Sequence, residues 1–133
     1  MGAWDVGSFD NDDALDWVYE LEQANGFDIL ADAFENVTGQ KEGYLEASEC
    51  AVAVCAAEVV TALLGSGADD LPDEAANWVE EKPEPSEALV KMARSALIAV
   101  LDNSELKDLW EESDSYEEWQ ANLQDQLERL ETE

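Results

Sequence analysis

Carboxylates dominate the chemistry open to this chain: of its 133 residues, 34 are aspartate or glutamate, 6 are lysine or arginine, and none is histidine. The densest group near the amino end, Asp10, Asp12, Asp13 and Asp16, offers the oxygen ligands that calcium or magnesium takes. The spacing argues against such a site. A calcium loop begun at Asp10 needs an oxygen ligand at its fifth position and glycine at its sixth, where this chain has Ala14 and Leu15. The same aspartates suit a helix start, where side-chain oxygens accept from free amides and negative charge complements the macrodipole. No metal site is expected.

Nucleophilic chemistry fares no better. Cys50 and Cys55 are five residues apart, which on a helix separates them by about 140° around the axis and prevents pairing. In a run of small apolar residues they read as buried thiols in a reducing compartment, and no histidine is present to activate either. There is no Ser-His-Asp or Cys-His arrangement and no glycine-rich phosphate loop, and nothing singles out one carboxylate pair for acid–base work. The expectation is a non-enzyme with no catalytic residue and no cofactor. A small enzyme using clustered carboxylates, with or without a metal, is the alternative from another class.

The elements that would position these groups read as helices. After an irregular opening segment, residues 1–9, pinned by Trp4 and Phe9, Asp10 or Asn11 can cap a helix reaching about Ala24. A second follows from about Asp28 to Asn36. The stretch from Ala47 to Leu64 is apolar nearly all round and predicts a central helix with neighbours on several sides, ended by Gly65. Asp73 to Lys82 forms a short helix presenting Trp78. Pro83 and Pro85 stop it, and Ser86 caps an amphipathic helix from Glu87 to Leu101. Ser104 restarts the chain into a short helix with Leu106, Leu109 and Trp110. Ser115 and Glu118 match the reciprocal capping box of a last helix that places Trp119, Leu123, Leu127 and Leu130 on one face. No period-two alternation or hairpin signal appears. The expected fold is all-α: one domain, residues 1–133, of six or seven helices packed around residues 47–64.

The segments Met1-Gly2-Ala3-Trp4, Gly7-x-Phe9-Asp10-Asn11-Asp12-Asp13-Ala14-x-Asp16-Trp17, Gly43-Tyr44-Leu45-Glu46-Ala47 and Asn103-Ser104-Glu105-Leu106-x-x-Leu109-Trp110-Glu111-Glu112-Ser113 resemble an uncharacterised bacterial family, domain of unknown function 4259. That family commonly has glycine after the first tryptophan, where this chain has Asp5, so the local backbone is expected to differ there. The resemblance implies a fold and no functional residues.

The charge remains to be explained. It is spread evenly: residues 1–65 hold 14 acids and 1 base, residues 66–133 hold 20 acids and 5 bases. Nucleic acid and anionic membranes are repelled by such a field, so direct binding to either is not expected. The apolar run of residues 47–64 is interrupted by Ser48, Glu49, Glu58 and Thr61 and reads as a core helix, not a membrane span. No secretory or myristoylation signal is read at the start, and the cytoplasm is the expected location.

Asp12, Asp16 and Glu20, spaced i, i+4, i+8, make a like-charged stripe that costs about 0.2–0.5 kcal/mol per neighbouring pair, so folding alone does not favour it. Three causes compete: a basic protein partner met by an inhibitor or immunity-type protein, imitation of the phosphate backbone, and adaptation of the surface to a saline cytoplasm. The rows Asp12, Asp16, Glu20 and Glu105, Asp108, Glu112 are the candidate interaction surface. Trp17 and Trp78, the tryptophans that fit their helical faces least cleanly, would be its anchors if exposed.

Overall fold

The computed structural model describes residues 12–24, 26–38, 47–65, 73–82, 85–102, 104–113 and 115–130, with side chains from Asp16 in the first segment and Glu49 in the third. Among them it shows seven helices and no strand: α1 (Asp12–Glu22), α2 (Asp28–Thr38), α3 (Ala47–Leu63), α4 (Asp73–Glu80), α5 (Glu87–Asp102), α6 (Glu105–Glu111) and α7 (Tyr116–Arg129). The all-α expectation holds, and the helices match the segments read from the sequence to within about two residues. The opening segment with Trp4 and Phe9, the cap at Asp10 or Asn11 and the side chains of Asp10, Asp12 and Asp13 lie outside the described residues.

α3 is the hub and packs against all six other helices. Its composition makes this possible, because alanine, valine and cysteine on every side let neighbouring backbones approach without displacing large side chains. Cys50, Ala53, Val54, Cys55, Ala56, Ala57, Val59 and Val60 are all buried. α2 and α5 lie together on one flank, α1 and α4 pair on another, and α6 and α7 close the remainder. Phe34 and Leu30 of α2 and Leu97 of α5 are fully enclosed, each contributing about 1.5–3 kcal/mol through loss of contact with water.

The helix ends follow local chemistry. α3 stops at Gly65, whose φ of +87° lies in the left-handed region and whose N–H donates to the Ala62 carbonyl at 2.9 Å. Ser86 accepts from the Leu89 amide at 3.2 Å and starts α5. Ser104 starts α6 by accepting from the Lys107 amide at 3.0 Å, while its hydroxyl donates back to the Val100 carbonyl at 2.8 Å. That fully buried serine is therefore satisfied on both sides and fixes the corner between α5 and α6.

The start of α7 departs from expectation. Ser115 stands at the cap position, but its side chain makes no capping hydrogen bond, so the box with Glu118 is not formed. Its backbone, at φ −103° and ψ 14°, lies outside the extended conformation that aims a cap side chain at the helix amides. Ser113 supplies the local link instead, its Oγ accepting from the Ser115 amide at 3.2 Å and donating to the Trp110 carbonyl at 2.8 Å.

Candidate functional site

Trp17 and Trp78, expected to anchor an interface if exposed, are 5% and 4% exposed and belong to the core. They are corrected out of the candidate surface. Trp17 lies beside Val18 and Leu21 on the inward face of α1. Trp78 shows why it is buried: its indole N–H donates to the Ala24 carbonyl at 3.1 Å, its ring meets Phe27 edge-on at 6.1 Å, and the Lys82 ammonium sits 5.0 Å from the ring centre. The indole thus ties α4 to the end of α1 and the approach to α2 while its polar atom stays bonded.

The carboxylates of the two candidate rows stand apart. Asp16 and Glu20 are exposed on α1, with the Asp12 side chain outside the described residues, and α1 packs on α3 and α4. Asp108 and Glu112 are exposed and Glu105 is half-buried along α6, which packs on α3, α5 and α7. The described members of each row share one helix or its C-cap. They do not merge into one track.

The described cations are mostly partly covered. Among the described residues nineteen carboxylates are exposed, whereas Lys91 is the one cation with comparable exposure. Lys82 covers Trp78. Lys107 pairs with Glu111 at 2.9 Å, and Arg129 reaches Glu58 at 2.7 Å and Asp125 at 2.7 Å. The formal net charge of −28 is therefore presented mainly as exposed carboxylates.

Carboxylates also occupy helix ends where they oppose folding. α1 ends in Glu22, α4 in Glu80, α5 in Asp102 and α6 in Glu111, and no helix from α1 to α6 has a basic residue in its last turn. Negative charge at the C-terminal end of a macrodipole costs some tenths of a kcal/mol, so these carboxylates do not stabilise their helices through the dipole.

Glu58 is the functional-looking group that sequence reasoning passed over. It is 1% exposed in the middle of α3, and its Oε1 accepts from Arg129 Nη1 at 2.7 Å and from the Thr61 hydroxyl at 3.1 Å. A buried carboxylate suggests catalysis, but this one is held by a guanidinium and a hydroxyl, as a structural ion pair is. Its interruption of an apolar run was the visible signal. The partner, 71 residues away, was not.

The cysteines are enclosed and free of disulfide bonds. Burial pushes the Cys50 thiol from the ordinary 9.0 up to about 12, against the opposing effect of hydrogen bonds with Ser104 and the Leu106 backbone. Burial, assisted by the charge of Glu58, raises Cys55 well above 9.0. Thiols held protonated are poor nucleophiles. No group of three or more cysteine, aspartate or glutamate residues is placed to hold a metal ion among the described residues, and no helix there is long and apolar enough to cross a membrane.

Residues 2–122 match the family model described as domain of unknown function 4259, and the chain belongs to that family. No curated protein and no solved structure matches it.

Proposed function

We propose that this is a non-enzymatic interaction protein that binds a basic protein partner, in its most concrete form as an inhibitor or immunity-type protein of the cytoplasm. The observation that carries this reading is the placement of carboxylates at the C-terminal ends of α1, α4, α5 and α6, where they weaken the fold. A dense, weakly compensated negative field raises the rate of encounter with a positively charged partner and repels nucleic acid. The scaffold suits the role, since its helices are fixed on a hub and the carboxylates project from rigid elements.

The test is affinity capture at low salt, followed by kinetics with the recovered protein. The reading requires a basic protein whose activity falls on stoichiometric binding, with an association rate that drops steeply between low and high salt and a dissociation rate that changes little. DNA competing for the same partner indicates a nucleic-acid mimic instead. Failure to recover a specific partner, together with unfolding when salt is removed, transfers the acidity to saline adaptation and ends the inhibitor reading.

A further inference from the structure

We infer that the partner docks on the outer face of α1, with Tyr19 as the anchor for an arginine of the basic surface. Tyr19 is 66% exposed, one of two large apolar side chains left open among the described residues; the other, Ile98 on α5, is 53% exposed. Trp17, Val18 and Leu21 commit the inner face of α1 to the core, so the outward tyrosine adds nothing to packing there. Its neighbours give the ring a chemical meaning. Asp16 and Glu22 stand at i−3 and i+3, hence on the same stripe of the helix, and Glu20 flanks it, all three exposed. An arginine laid over the phenol face can stack on the ring while its planar fork donates to a carboxylate one turn away, a combination that the compact lysine ammonium lacks.

The exposed ring selects α1 over the acidic row of α6. α1 packs against α4, whose surface adds Asp73, Glu74, Glu80 and the adjoining Glu81, and the described cation on this side, Lys82, is committed to the Trp78 ring. On α6 the row Glu105, Asp108, Glu112 is interleaved with Lys107, and no large apolar side chain is exposed there. Charge suits a cationic partner on both sides, since Asp102, Glu111, Glu117 and Glu118 surround the α6 row, so the exposed Tyr19 ring is what favours α1, tyrosine being among the residues that most often dominate interface energy.

The inference rests on the basic-partner reading, and one experiment separates the two. The intact protein is titrated at low salt with a synthetic nona-arginine peptide while amide NMR shifts are followed, then with nona-lysine. The expected result is a shift pattern centred on residues 16–23, tighter binding of arginine than of lysine, and a loss of about two- to fivefold in arginine affinity for Tyr19→Ala. Asp16→Lys with Glu20→Lys should weaken binding more than the charge-matched pair Asp108→Lys with Glu112→Lys. All four side chains are exposed, so amide spectra of the free variants confirm an unchanged fold. Binding centred on α6 or spread equally over all acidic helices, or a Tyr19→Ala variant with unchanged affinity, overturns the docking site and leaves the basic-partner reading standing. Absence of any peptide binding at low salt overturns both.

Discussion

Glu58 and Glu111 each meet a cation at nearly the same distance, 2.7 Å to Arg129 and 2.9 Å to Lys107, yet the two pairs differ in consequence. Glu58 is almost fully enclosed on the hub helix, so removal of Arg129 leaves its carboxylate with the Thr61 hydroxyl in a poorly hydrated setting. The Lys107–Glu111 pair spans one turn of α6 at the surface, where solvent and salt screen the attraction and ordering two flexible side chains offsets much of it. Separation alone says little about what an ion pair does for a fold. Enclosure decides it, and in this protein enclosure also decides which carboxylates remain available to a partner.

The largest expected effect tests the enclosed pair. Arg129→Met should cost about 3–5 kcal/mol in urea unfolding, because it leaves Glu58 buried without its counter-charge, and Glu58→Leu should cost less, because Arg129 is partly exposed and keeps Asp125. The double variant should recover most of the loss. If Arg129→Met costs no more than Lys107→Ala, the contrast between the pairs collapses.

The enclosed thiols extend the contrast to pH. Burial raises both above the ordinary value, so the folded protein keeps protons that the unfolded chain releases. Their contribution to stability is complete below 9.0 and is lost progressively as pH climbs toward about 12 for Cys50. Unfolding midpoints from about pH 8 to pH 11 should therefore decline, and Cys50→Ala with Cys55→Ala should flatten that limb. A slope unchanged in the double variant assigns the alkaline loss to other groups.

Next in size is a pair of serines at helix starts. Ser104→Ala should cost about 1 kcal/mol, since it removes the Lys107 cap and the bond to Val100 together, while Ser115→Ala should stay within about 0.5 kcal/mol. Equal losses would show that the Ser115 hydroxyl caps α7 after all. The smallest effect belongs to the surface pair: Lys107→Ala should leave the thermal midpoint within error at physiological salt.

The helices were legible because their signals are local. Apolar periodicity marked α5, the all-round apolar run marked α3, and Gly65, Ser86 and Ser104 punctuated the chain through bonds spanning three or four residues. α7 shows the edge of such reasoning. Leu127 was placed on its inward face, whereas Trp119, Leu123, Gln126 and Leu130 are the buried set and Leu127 is partly covered. That set has 4-3-4 spacing, so the stripe was present in the sequence, but a glutamine is not expected inside without knowing what surrounds it. Trp78 and Glu58 were illegible for one shared reason: what satisfies them, the Ala24 carbonyl and Arg129, lies 54 and 71 residues away.

One packing detail makes the molecule its own optical gauge. The Trp110 and Trp119 rings lie 6.4 Å apart and 12° from parallel, with Tyr116 a further 6.0 Å from Trp119. Indoles this close share excitation, so near-ultraviolet circular dichroism carries a coupled signal that exists only while α6 and α7 stay docked. Trp78, under the Lys82 ammonium, emits from a different electrostatic setting beside α1. Separation of α6 from α7 erases the coupled band, whereas disturbance near α1 leaves that band in place and shifts the emission of Trp17 and Trp78, so events on the two sides of the hub can be told apart without attaching a dye.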